Sequence, residues 1–494
     1  MTFSSANISH TGPNADPRRW RILALVAVCQ LVLALDASIV NIALPAVQEA
    51  LGVSDAERQW VITAYALTFG GLLLLGGRIC DFVGRKRVII IGLVGFAAVS
   101  ALGGLAPNAA VLFTARGLQG LFAALIAPAA LAILSATFTD PKERATAFGV
   151  YGGVSGGGAA IGLIVGGLLT EYTTWRWCLL INVPVTLITA AFALWLITEH
   201  RTGGRRYDIP GAITATAGLG LLVFGFSKAD EEGWTSPLTL GLLAAAAALL
   251  VAFVAIESRT RQPLLPLRVV MNRSRGAAYI NGLIAGAALF AVFLFLSYYM
   301  QGTLHYSPIK TGLGFLPLAL GIGIGAALAG RLLPQIGPRL LTVTGLITAA
   351  VGLLLLTRLG TTTGYASHLL PGQLVVAIGT GLVFVTVTST AMIDIDTADS
   401  GIASAMVNTT QQIGGSLGIA LLNTIATTST THYLTTHRGE LPEALVHGFH
   451  TAFLATAALL VFGAICAWLM IHANPNDLPA PEPARTRPDG FTPR

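Results

Sequence analysis

The chain has 494 residues, 54% of them hydrophobic and 11% charged, with a mean hydropathy of +0.73 and a formal net charge of +6. Soluble domains carry about a quarter charged residues, so the soluble globular classes are excluded. The basic excess is spread over short segments and forms no separate basic domain, which also removes a nucleic-acid-binding reading.

A bilayer core of about 30 Å takes about 20 apolar residues per helix. Along the chain the pattern predicts fourteen such runs. Six come first, at 22–45, 60–77, 88–106, 109–138, 145–170 and 177–197. A pair follows at 209–227 and 238–256. The last six lie at 277–301, 311–333, 340–357, 370–393, 402–430 and 449–472. Residues before Trp20 are polar and the first run is too long for a signal-peptide core, so it is expected to be an uncleaved first helix. The expected fold is all-α and integral to the membrane: two six-helix bundles related by an internal repeat, plus two inserted helices. The expected divisions are 1–200 for the first bundle, 201–275 for the inserted pair and its flanking loops, 276–473 for the second bundle and 474–494 for a proline-rich disordered tail.

Charge supports this topology. If the N-terminus is cytoplasmic, only Arg58, Arg176, Lys228, Lys310, Arg358 and Arg438 of the 29 lysines and arginines fall in outer segments, and Arg116 lies inside a span. The positive-inside rule then places both termini in the cytoplasm, in a multi-pass protein of the cell (inner) membrane.

One basic turn recurs. GRICDFVGRKR at 77–87 and GRLLPQIGPR at 330–339 match at Gly77 and Gly330, Arg78 and Arg331, Gly84 and Gly337, and Lys86 and Arg339. Pro334 stands where the first copy has Asp81, so the second copy of an internal duplication is altered. Gly77 and Gly84 permit a sharp reversal. Asp81, set among Arg78, Arg85, Lys86 and Arg87, is placed to accept charged hydrogen bonds.

The duplication, the six-two-six arrangement and the turn motif together resemble the major facilitator superfamily, in particular its 14-span drug:proton antiporter branch, over nearly the whole chain. LDASIVNIALP at 35–45 is similar to a signature of that branch, and RGLQG at 116–120 resembles the superfamily's fourth-span motif. The resemblance implies a cytoplasmic gate at Gly77, Asp81, Gly84, Arg85 and Lys86, with Asp81 and Arg85 latching the two halves when the transporter opens outward. GAAIGLIVGG at 158–167 resembles the fifth-span antiporter motif, with Leu163 where the motif has proline. Gly158, Gly162, Gly166 and Gly167 equally form a smooth face for close helix packing. Asn182, Asn408 and Gln411 lie in segments that also look family-like and, with Asn41 and Gln119, are candidates to line a substrate cavity.

Asp36 is the only carboxylate deep within a predicted span, and an acid in that setting is a functional candidate by default. At about 1.5 Å per residue it lies roughly 14 Å below Pro45, while Arg116 lies roughly 10 Å below Ala109. The two therefore share a level. Such a pair holds its charges mutually, and protonating Asp36 weakens it; alternatively it is a permanent pair that only fixes packing. Asn41 and Gln119, on the same spans, line the same cavity or bond between helices.

No phosphate-binding loop, metal-ligand cluster or paired-cysteine spacing is present in the sequence, so neither an enzyme, a metal site nor a cofactor is expected. Asp394, Asp396 and Asp399 form an acidic run beside the twelfth span. The reading is a monomeric secondary transporter, driven by the proton gradient, that exports amphipathic drugs, antibiotics or a secondary metabolite by alternating access. Proton-coupled import of a nutrient and a non-transporting membrane sensor are the alternatives. Substrate identity is beyond the sequence.

Overall fold

The computed structural model describes residues 18–54, 57–138, 140–199, 208–260, 263, 265, 267–393, 395, 400–437 and 440–472. Certain helix side chains, Asp81 among them, fall outside that description, as do the acidic run and the proline-rich tail noted above. The described chain is all-helical. Its first group comprises α1 (Arg19–Leu51), α2 (Trp60–Val83), α3 (Arg85–Gly104), α4 (Ala109–Thr137), α5 (Pro141–Tyr172), α6 (Trp177–Leu180) and α7 (Asn182–Leu196). Next come α8 (Ile209–Glu232), α9 (Pro237–Arg259) and the short α10 (Leu267–Met271). A last group holds α11 (Arg273–Tyr298), α12 (Pro308–Gly314), α13 (Leu316–Leu356), α14 (Leu370–Ala391), α15 (Ser400–His437) and α16 (Leu441–Met470). Ten helical segments among the described residues are long and apolar enough to cross a membrane, and two shorter apolar helices lie at Trp60–Leu73 and Pro210–Phe226.

Several boundaries differ from the sequence expectation, each for a local reason. Helix α1 does not stop at Pro45 but runs through it to Leu51 and ends on Gly52, whose φ of 62° closes the helix. The run 177–197 breaks at Ile181 into α6 and α7, because Pro184 cannot donate to the carbonyl one turn earlier. Two π-helical turns, Tyr299–Thr303 and Tyr365–Leu369, sit at span ends.

Both copies of the basic turn bend at the matching glycine. Gly84 has φ 104° and separates α2 from α3, while Gly337 has φ 79° and kinks α13 into two arms. These are backbone conformations an L side chain rarely adopts. They bring the helix ends at Val83, Arg85, Thr137, Leu196, Arg273 and Met470 to one end of the bundle, called here the basic face. The other end is the opposite face.

Helices α1–α7 pack mainly on one another, as do α11 and α13–α16, whereas the short α12 packs chiefly on α5 of the first group. Small residues set the spacing. A Cβ at Gly158, Gly162 or Gly166 of α5 would collide with Ala34, Ser38 or Ile39 of α1, and one at Gly414 or Gly418 of α15 with Leu283 or Ala287 of α11. Such close backbone approach is how helices associate where lipid supplies no hydrophobic drive. The pair α8–α9 lies across a seam between the groups: α8 packs on both α2 and α15, with Leu67, Val223 and Ala420 buried at the triple junction.

The two turn copies give a direct test of backbone strain. Gly84→Ala should lower the apparent Tm of the purified protein, at a cost of about 1–3 kcal/mol for the forced backbone conformation, with the Glu199 carboxylate displaced from its Cβ. Gly330→Ala, in open space at ordinary helical geometry, should keep Tm or raise it slightly in the same thermal scan, since alanine is the better helix former.

Candidate functional site

Asp36 and Arg116 are fully buried and paired, with Arg116 Nη1 donating to Asp36 Oδ2 at 2.7 Å. The pair is the centre of a wider network. Gln119 Nε2 and Asn182 Nδ2 both donate to Asp36 Oδ1, at 3.1 and 2.7 Å. Arg116 also donates to Gln119 Oε1 at 2.9 Å and, through Nε, to the Val61 carbonyl at 2.8 Å, while Gln119 reaches Ser100 at 2.8 Å. The Arg116 guanidinium lies over the Tyr65 ring, 4.6 Å from its centroid. Four sequence candidates, Asp36, Arg116, Gln119 and Asn182, are thus brought together by α1, α4 and α7; Gln119 and Asn182, expected to line a substrate cavity, are instead turned onto the buried carboxylate. Tyr65, Val61 and Ser100 complete the network and had no motif to announce them.

A cavity of about 770 Å³ lies between the two groups. It runs from Asn41 and Tyr65 at mid-depth to Arg78, Ser135, Met392 and Ser404 near the basic face. Its wall is aromatic (Tyr65, Phe69, Phe148, Tyr151, Phe290, Phe293 and Phe384) and amide-bearing (Gln30, Asn41, Asn408, Gln411 and Gln412). Arg78 is the one charged residue on that wall among the described residues. The α1 residues that face the cavity are Gln30, Leu33, Ala34, Ala37, Ser38 and Asn41, a stripe that leaves Asp36 on the far side of its helix. Tyr65 belongs to both places: its ring lines the cavity and carries Arg116 behind it.

Towards the opposite face the groups are joined. Pro45 has no N–H, so the Asn41 carbonyl loses its helical donor; Ser297 Oγ of α11 donates to it instead, at 2.9 Å. Gln301 Nε2 donates to the Ile42 carbonyl at 3.2 Å, and the Arg58 guanidinium stands 3.7 Å from the Tyr298 ring centroid. On the other seam Glu171 accepts from the Ile309 N–H at 2.9 Å. Gly167 of α5 faces the backbone of Pro308 and Ile309, and Gly312 faces the Leu163 carbonyl. The glycines of the fifth-span motif therefore divide: Gly158, Gly162 and Gly166 hold α1, whereas Gly167 meets the other group. Helix α5 runs unbroken past Leu163.

The gate candidates lie at the basic face. Gly77 lines the cavity. Arg85 donates to the Ala132 carbonyl at 3.0 Å and Lys86 to the Leu194 carbonyl at 2.7 Å, both within the first group, and Gly84 makes the turn between them and α2. The Asp81 side chain is outside the described residues. Arg78 reaches further along the chain, to the Pro263 carbonyl at 2.8 Å. Asn41 bonds back to its own helix at Ala37 and Ser38, and Asn408 to Ser404.

The family model for the Major Facilitator Superfamily matches residues 26–419. The chain belongs to the major facilitator superfamily. It is a membrane transporter and not an enzyme. The puromycin resistance protein pur8 of Streptomyces alboniger is 49% identical over 467 residues, which cover 93% of this chain and 92% of that protein. The cephamycin export protein CmcT of Amycolatopsis lactamdurans is 37% identical over 418 residues, 83% of this chain and 85% of its own. Among solved structures, a bacterial homolog of the human lysosomal transporter spinster, inward-facing and unoccupied, shares the fold, with a TM-score of 0.63 at 16% identity over 94% of this chain and 99% of that one.

The buried network is open to a double-mutant test. Removing one partner of a buried ion pair typically costs about 3–5 kcal/mol, whereas replacing both costs far less. Arg116→Met should therefore sharply reduce folded yield and Tm, and adding Asp36→Asn to it should recover much of the loss. Additive losses in the two single variants and the double would show that the side chains do not act as a pair.

Proposed function

We propose that this transporter exports an amphipathic small molecule of the antibiotic or secondary-metabolite kind, in exchange for protons, across the cell membrane. The observation that carries the reading is an aromatic, amide-lined cavity closed towards one face, with a buried Asp36–Arg116 pair directly behind its wall. Relatives named for puromycin resistance and cephamycin export support the substrate class. The basic face is the cytoplasmic one in this reading, both termini lie there, and the cavity is in its inward-facing state. The fourteen spans are α1 to α5, the α6–α7 unit, α8, α9, α11, the two arms of α13, α14, α15 and α16. They form two related bundles and an inserted pair.

Coupling is indirect in this scheme. Asp36 faces away from the cavity, so a proton and a substrate do not compete for one carboxylate. When Asp36 takes a proton, its attraction for Arg116 falls. Arg116 remains held by the Val61 carbonyl and the Tyr65 ring, both on α2. The change is thereby passed to α2, which lines the cavity, packs on α15 of the other group and ends in the basic turn. There Asp81 and Arg85 act as the latch of the outward-open state. A ligand shifts such an equilibrium only by its differential affinity for the two states.

In everted vesicles carrying a pH dye, addition of an exported antibiotic should release protons from the vesicle interior, and Asp36→Asn, compared with the wild type at equal amounts of folded protein because it leaves Arg116 without its carboxylate, should abolish that release. Undiminished proton-coupled export in Asp36→Asn would sink the assignment, and proton movement in the same direction as substrate would establish symport. Topology has its own check on a background lacking the four native cysteines. Asn272→Cys should react with an impermeant maleimide only from the cytoplasmic side, and Glu232→Cys only from outside. Cytoplasmic labelling at 232 would remove α8 and α9 as a spanning pair.

A further inference from the structure

We propose that the basic-face end of α16 carries a binding site for the phosphate headgroup of an anionic phospholipid, formed by Arg339 and Arg273 around Trp468. The Arg339 guanidinium lies over the Trp468 ring, 4.0 Å from its centroid, and its Nε is buried without a hydrogen-bond partner. Arg273 of α11 donates through Nη2 to the carbonyl of the next residue, Leu469, at 2.9 Å. Two cations from different helices therefore flank one turn. Among the described residues neither has a carboxylate partner.

The first copy of the basic turn shows what is absent here. There Lys86, the counterpart of Arg339, bonds the Leu194 carbonyl, and the neighbouring Arg87 faces Glu199 at 3.8 Å. Among the described residues no such acid is supplied to the second copy, and the guanidinium rests on an indole instead. A cation at a helix C-terminus can simply offset the carbonyl dipoles. That accounts for the Arg273 bond to Leu469. It leaves the Arg339 Nε–H and the remaining guanidinium donors unexplained.

The surroundings point to a lipid as the source of the anion. Trp468 is 47% exposed, Ile465 53% and Leu469 56%. In a membrane protein such outward apolar side chains contact acyl chains, and a tryptophan at a span end marks the headgroup level. Basic pockets between spans at this level bind anionic headgroups. Planar guanidinium forks match phosphate oxygens, while the apolar face of α16 below them accepts the acyl chain. The occupant is thus a phosphodiester lipid lying against α11, α13 and α16.

Native mass spectrometry of the full-length protein, released from micelles doped with phosphatidylglycerol or phosphatidylcholine, tests the site. The wild type should retain phosphatidylglycerol in preference to phosphatidylcholine. Arg339→Gln and Arg273→Gln should each weaken that preference about fivefold, and the double variant should abolish it. Arg339→Lys, which keeps the charge, should retain most of it, and Arg358→Gln should change nothing. Folding of each variant is followed by its elution profile and Tm. An unchanged preference in the glutamine variants, or an equal loss in Arg358→Gln, would overturn the proposal. Competition by inorganic phosphate at the concentration of the lipid would show that the site takes a free anion, and the lipid assignment would be wrong.

Discussion

A carboxylate in the middle of a transmembrane helix cannot be solvated by lipid, and the first group of helices is organised around that fact. Asp36 takes donors from Arg116 on α4, Gln119 on the next turn of α4, and Asn182 on α7. Those donors are themselves tied to α2 through Val61 and to α3 through Ser100. Five helices thereby share one polar centre. Helix α5 joins through its glycine stripe against α1 instead. Such an arrangement is costly to leave half-made, because a buried charge without its partner has no water to turn to.

Contacts within the groups and contacts between them differ in kind. Inside each group, glycines let helix backbones meet at distances that no side chain could share, so the packing is broad and hard to undo. Between the groups near the opposite face, the joining contacts include a few hydrogen bonds, a stacked cation and a short glycine-lined seam. Each such hydrogen bond is worth only about 1 kcal/mol net. A seal assembled from several of them lies within the few kcal/mol that ligands and protonation can shift. Pro45 is central to this seal: by withholding an N–H it leaves the Asn41 carbonyl for Ser297. Pro128 acts similarly in α4, where the freed Ala124 carbonyl sits against Gly76 of α2.

The two basic turns share their backbone and differ in their chemistry. Gly84 and Gly337 adopt the positive φ that both reversals need. Around the first, Arg85 and Lys86 donate to helix carbonyls and Arg87 faces Glu199, although the Arg85 Nε is buried without a partner. Around the second, Arg339 turns to Trp468 at the lipid-facing perimeter.

Fold class was legible from the sequence because lipid imposes one rule on every span, long apolar runs with satisfied backbones. The turn glycines were legible for a similar reason, since few residues tolerate their φ. Asp36 and Arg116 declared themselves by rarity and shared depth. What the sequence could not decide was facing. Gln119 and Asn182 bond the carboxylate, whereas Asn41, equally polar and one turn away from Asp36, looks into the cavity; amides of one kind are sorted only by the rotation of their helices. Ser297 and Tyr65 carried no signal, because a serine beside a proline-freed carbonyl and a tyrosine beneath a guanidinium become partners only across distant chain segments. The seat of α8 on α2 and α15, the division of the fifth-span glycines, and the placement of Asp36 behind the cavity wall all arise from packing between helices far apart in sequence. Local pattern specifies what can cross a membrane; tertiary contact alone decides what each span shows to its neighbours.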